Sequence, residues 1–144
     1  MLFKMRCLFF SKAGNAEHIA QQIARTHKTT SDQIPPAYPS ESEKLLFIGV
    51  EANGAGVDKK VMDFCANLSP ARAKNVAFFV ITKGNGAEAI EKLKAAVKAH
   101  GTEVVGQTHV IKVGGFFKQS HVKQSDVDGA IAWANKIVEE VAAK

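Results

Sequence analysis

Three short stretches rich in glycine and asparagine follow apolar runs in this sequence, and chemistry is best sought there. The first, Ser11-Lys12-Ala13-Gly14-Asn15-Ala16, lies between an apolar segment ending at Phe10 and a run with helical spacing. Such a loop can aim successive backbone amides at one point, and it delivers them at a helix N-terminus, where the dipole favours negative charge. The Ser11 hydroxyl, the Asn15 amide and the Lys12 charge add donors suited to an anion such as phosphate. The second stretch runs from Glu51 through Ala52-Asn53-Gly54-Ala55-Gly56, and the third is Lys83-Gly84-Asn85-Gly86. Gly114-Gly115 forms a fourth. Glycine and asparagine also simply turn the chain in α/β loops, so each loop has both a structural and a ligand-binding reading.

Other chemistries find little footing. His18, His27, His100, His109 and His121 form no i, i+4 pair and have no neighbouring cysteine, which points away from a metal site. Ser11 lacks a nucleophile elbow, so hydrolysis is unsupported, and no residue is assigned a catalytic role. The loop is not the GxxxxGK[ST] of a nucleoside triphosphatase. Cys7 and Cys65 form no CxxC and read as buried, reduced thiols.

The elements that must hold these loops alternate. Leu2 to Phe10 is nearly all apolar on both faces, as in a parallel strand covered by helices on either side. Ala16 to Thr26 places Ile19, Ala20, Ile23 and Ala24 at helical spacing. The segment 27–44, with Pro35, Pro36 and Pro39, leaves room for a short strand near Lys28 to Thr30. Leu45 to Val50 is a second continuous strand, and Val57, Val61, Phe64 and Leu68 share a helix face that stops before Pro70. Val76 to Thr82 is the strongest strand, and Ala87 to His100 is a helix with Gly101 at its C-terminal end. Glu103 to Val113 reads as a strand bent at Gly106. A final helix opens at the cap signal Ser125-Asp126 and carries Val127, Ile131, Ala134, Val138 and Val141. Strands and helices in this order imply right-handed crossovers and a parallel sheet, with ligands bound beyond the carboxyl ends of its strands.

The chain has 144 residues, 46% of them hydrophobic, enough for one α/β domain over 1–144 and too few for two. No apolar run approaches the roughly 20 residues of a membrane span. The N-terminal Lys4 and Arg6 are followed by no sustained hydrophobic stretch of signal type, so the expectation is a cytoplasmic protein with no membrane role. A net charge of +5 favours anionic partners. Eleven of the nineteen basic residues fall in 71–144, and no acid occurs between Glu103 and Asp126. Lys112, Lys118, Lys123, His109 and His121 occupy that interval, as either a solvated face or a rim turned toward an anion.

The first loop, between its strand and helix, resembles the phosphate loop of the flavodoxins, where a Ser/Thr-x-Thr-Gly-x-Thr pattern wraps the phosphate of FMN. The likeness runs along nearly the whole chain. Leu45 to Gly56 looks like the family's strand and ring-binding loop, Val76 to Gly86 like the next strand and loop, and Gly106 to Phe117 like the broken final strand. The resemblance implies a three-layer α/β flavodoxin-like fold, a five-stranded parallel sheet in order 2-1-3-4-5 with helices on both faces. It implies non-covalent FMN and one-electron transfer, with Ser11, Lys12, Ala13, Gly14, Asn15 and Ala16 on the phosphate. Ala52, Asn53 and Gly54 would flank the ring, as would Lys83, Gly84, Asn85, Gly86 and Phe116.

This chain departs from the pattern in three ways. Ala13 and Ala16 stand where the family has hydroxyls, each loss costing on the order of 1 kcal/mol. The second loop has no aromatic to stack on the ring, leaving Phe116 and Phe117 to cover one face, while the single Trp133 reads as packing against the sheet. The net charge is positive, where ordinary flavodoxins are acidic; a cationic rim would raise a bound flavin's reduction potential and suit an acidic redox partner protein. Two functions therefore stand side by side. One is an FMN-binding electron carrier or flavin-dependent oxidoreductase, monomeric or homodimeric, without nucleic acid. The other is a module that keeps the fold, no longer binds FMN, and recognises a small anion or a protein.

Overall fold

A computed structural model describes residues 3–52, 54, 56–84, 86–114 and 121–144. The elements are β1 (Met5–Phe10), α1 (Asn15–Thr26), β2 (Ser31–Gln33), β3 (Glu43–Glu51), α2 (Lys59–Ala66), β4 (Ala73–Thr82), α3 (Gly86–Lys98), β5 (Glu103–Val104), β6 (His109–Lys112) and α4 (Gln124–Ala142). Among the described residues all strand pairs are parallel, in the order β2-β1-β3-β4-β5, with β6 also paired to β4. This is the order that the resemblance implied, with the last strand in two pieces.

Alternation along the central strands explains their long apolar runs. Cys7, Phe9, Leu45, Phe47, Ala77 and Phe79 face α1 and α4, where Ile19, Ile23, Ala134 and Ile137 complete one core. Leu8, Leu46, Ile48, Phe78 and Val80 face α2 and α3, packing with Val61, Cys65, Ile90 and Leu93. A strand buried on both faces leaves little room for polar side chains, and the polar residues of β3 and β4, such as Glu43, Asn75 and Thr82, stand toward the strand ends. Trp133 closes the first core as expected: it meets Phe47 and Phe79 edge-on at 5.5 and 6.2 Å between centroids and stacks on His109 at 5.4 Å. Its indole N–H donates to the Gln107 carbonyl at 2.9 Å. No helix among the described residues is long and apolar enough to cross a membrane.

Several boundaries differ from the sequence reading, and three of the differences have a visible physical reason. The short second strand lies at Ser31–Gln33 rather than near Lys28 to Thr30. The end of α1 consumes the intervening residues: Lys28 is left-handed at φ 55°, and the Thr29 amide donates back to Ala24 at 2.9 Å. The final helix starts at Gln124, ahead of the expected cap at Ser125, because the Asp126 carboxylate accepts the Lys123 amide at 2.9 Å. The last strand is broken rather than merely bent. Between the pairs Val76↔Val104 and Phe79↔His109 it takes five residue steps against three on β4. Gly106, at φ 69°, sits in that excursion, where a Cβ would lie 2.2 Å from Ile137 Cδ1. Only glycine lets α4 approach so closely there.

Candidate functional site: an anion cradle at the carboxyl edge of the sheet

The parallel register of β1 and β3 pairs Phe10 with Val50, so Ser11 and Glu51 leave their strands side by side. The first loop then curls over the Glu51 carboxylate. Oε2 accepts the Ser11 hydroxyl and, at 3.0 Å, the Ala16 amide. Oε1 accepts the Ala13 amide at 2.7 Å and the Lys12 amide at 3.2 Å. Four donors from Ser11, Lys12, Ala13 and Ala16 thus converge on one oxyanion. Gly14 caps α1 with no side-chain hydrogen bond, and the carboxylate of a neighbouring strand takes over that task.

Burial pushes the Glu51 carboxyl up, yet the hydrogen bonds from Ser11, Ala16, Ala13 and Lys12 outweigh it. The carboxyl is held below its ordinary range and is ionised at neutral pH. Asn15 is buried, and its side-chain oxygen accepts the Val122 amide at 3.1 Å, tying the start of α1 to the approach of α4.

The other loops gather at the same edge. Thr82, wholly buried, accepts the amides of Gly84 and Gly86 at 3.0 Å each, which folds the third loop over the end of β4. Gly86 lies against the second loop, since a Cβ there would fall 2.6 Å from the Ala52 carbonyl oxygen. The aliphatic stem of Lys83 runs beside Gly114. Gly54 has open space around it. Asn53, Asn85 and Phe116 lie outside the described residues, as do Phe117 and Lys118. Of the basic interval, Lys112 and Lys123 are exposed, whereas His109 is drawn into the Trp133 stack. Burial lowers the His109 pKa, with the Asp126 charge opposing. Among the described residues no group of three His, Cys, Asp or Glu is placed to hold a metal ion.

Glu51 is the residue that sequence reasoning passed over, taking it as the first residue of the second loop. Its place at the end of an apolar strand becomes a signal only once that strand is set beside β1. An acid directly after an uninterrupted apolar strand, on the strand adjacent to a loop of bare amides, has that loop as its nearest polar surface.

No family model and no curated protein matches the sequence. Solved structures do. The chain is similar to oxidised flavodoxin 2 from Bacillus cereus at 16% identity and a TM-score of 0.70, covering 95% of this chain and 99% of that one. It is also similar to the flavodiiron core of a Synechocystis protein, at 15% identity and a TM-score of 0.70 over 97% of this chain. A third likeness is to the rubredoxin oxygen:oxidoreductase of Desulfovibrio gigas, at 13% identity and a TM-score of 0.66 over 97% of this chain. The chain spans 36% of the length of each of these last two. Strand order, the paired helix layers and these likenesses together show that the chain has the flavodoxin-like fold.

Proposed function

We propose that this chain is a flavodoxin-like redox protein that binds FMN at the carboxyl edge of its sheet, serving as an electron carrier or within a flavin-dependent oxidoreductase. The observation that carries the reading is the convergence of three backbone amides and one hydroxyl on a single oxyanion beside β1. That donor set is chemically suited to a phosphate. The Ser11 hydroxyl and the amides of Lys12, Ala13 and Ala16 would hold it, with the Lys12 charge nearby. Ala52, Gly54, Lys83, Gly84 and Gly86 would flank the ring, and the Thr82 hydroxyl would keep the third loop in shape.

Bound flavin supplies the one-electron chemistry; the chain supplies binding, orientation and electrostatics. An acidic redox partner complements the net charge of +5, and a cytoplasmic setting fits two free, buried cysteines. The second reading, a module that keeps the fold and no longer binds FMN, is favoured by one observation: the oxyanion in the cradle is the protein's own Glu51.

The test is purification without added flavin, a visible spectrum, and titration with FMN followed by flavin fluorescence. The expected result is saturable binding with a perturbed flavin spectrum. No binding of FMN or riboflavin at tens of micromolar overturns the redox reading in favour of the second.

A further inference from the structure

An amide N–H has one proton to donate, and those of Lys12, Ala13 and Ala16 are each directed at Glu51, as is the Ser11 hydroxyl. A phosphate brought to the same donors meets a carboxylate already seated on them, and two anions cannot share a cradle of this size without strong repulsion. The competitor is part of the chain, so it is present at a high and constant effective concentration. Its side chain turns to the first loop, while the second and third loops meet elsewhere, at Ala52 and Gly86. The carboxylate therefore opposes the phosphate end of a flavin nucleotide and leaves the ring end alone.

We propose that Glu51 is the specificity-determining residue of this cradle: its carboxylate occupies the phosphate position and suppresses the preference for a phosphate-bearing flavin over the same flavin without phosphate. This deepens the flavin reading and rests on it for the choice of ligand. The competition for the amides stands independently of that reading.

The experiment uses the full chain as wild type, Glu51→Ala and Glu51→Gln. FMN and riboflavin are titrated against each, and inorganic phosphate is titrated while the amide resonances of Lys12, Ala13 and Ala16 are followed. In Glu51→Ala the FMN-to-riboflavin affinity ratio should rise about tenfold or more, consistent with recovering several charge-assisted hydrogen bonds. Millimolar phosphate should shift the three amides in Glu51→Ala and leave them still in the wild type. An unchanged ratio in a folded variant overturns the proposal. If no variant binds either flavin, the flavin reading fails and the phosphate shifts alone decide. Shifts in the variant only then support Glu51 as the competitor, and equal shifts or none overturn it. Should Glu51→Ala fail to fold, Glu51→Gln carries the same readouts with nearly the same shape and no charge.

Discussion

The Ser11 hydroxyl donates to the carboxylate of Glu51, forty residues further along the chain, across the seam between two parallel strands. The contact closes the first loop and caps α1, whose own N-cap, Gly14, brings no side chain. It joins the stability of the helix to the ionisation of one acid.

That coupling sets a pH dependence. The folded-state pKa of Glu51 is held below the ordinary value of 4.5, to which the unfolded chain returns. A carboxyl depressed in this way contributes stability that is present above the unfolded value and is lost as pH falls through the folded one. Urea unfolding of the wild type and Glu51→Gln between pH 7 and pH 3 should show the wild type ahead at neutral pH and the gap closing in acid. A gap that stays constant would mean that the charge contributes nothing.

Two glycine substitutions should act with opposite sign. A Cβ at Gly86 meets the Ala52 carbonyl at 2.6 Å and the Thr82 side chain at 2.7 Å. Gly86→Ala should therefore lose about 1–3 kcal/mol as the junction between the second and third loops is forced apart. Gly129 is exposed within α4, and a Cβ there meets nothing within 4 Å. Gly129→Ala should add roughly 0.5–1 kcal/mol through helix propensity and a less flexible unfolded chain. Denaturant midpoints of the two variants check both; a shift in the same direction contradicts the packing described.

The stack of His109 on Trp133 predicts a low histidine titration. Burial lowers the His109 pKa, and the Asp126 charge works against it. Proton NMR should place His109 below its ordinary 6.5 in the wild type and move it upward in Trp133→Ala, where the ring is uncovered. An unmoved titration would remove Trp133 as the source of that burial.

Both thiols should be silent in the folded state. Burial pushes Cys7 and Cys65 up to about 12, leaving almost no thiolate at pH 8. Iodoacetamide at pH 8 should modify neither cysteine in buffer and both in denaturant, as read by intact mass. Rapid labelling of the native chain would contradict the burial of these side chains.

Much of this architecture was legible in residue patterns because parallel strands covered on both faces carry long apolar runs, and helices beside them show one apolar stripe. The apolar runs around Phe47 and Phe78 and the stripes through Ile19 and Ile90 carried that information locally, and the resemblance of the loops supplied the strand order. Local pattern failed where backbone geometry settled the boundary. The left-handed Lys28 delays the second strand, and the reach of Asp126 to the Lys123 amide starts the last helix early. For the site, the sequence by itself determined that Ser11 to Ala16 is a loop of bare amides at a helix start. Only the tertiary structure decided what those amides meet. That depends on β3 lying next to β1 in a register that sets Glu51 beside Ser11, a pairing between distant segments that no local spacing records.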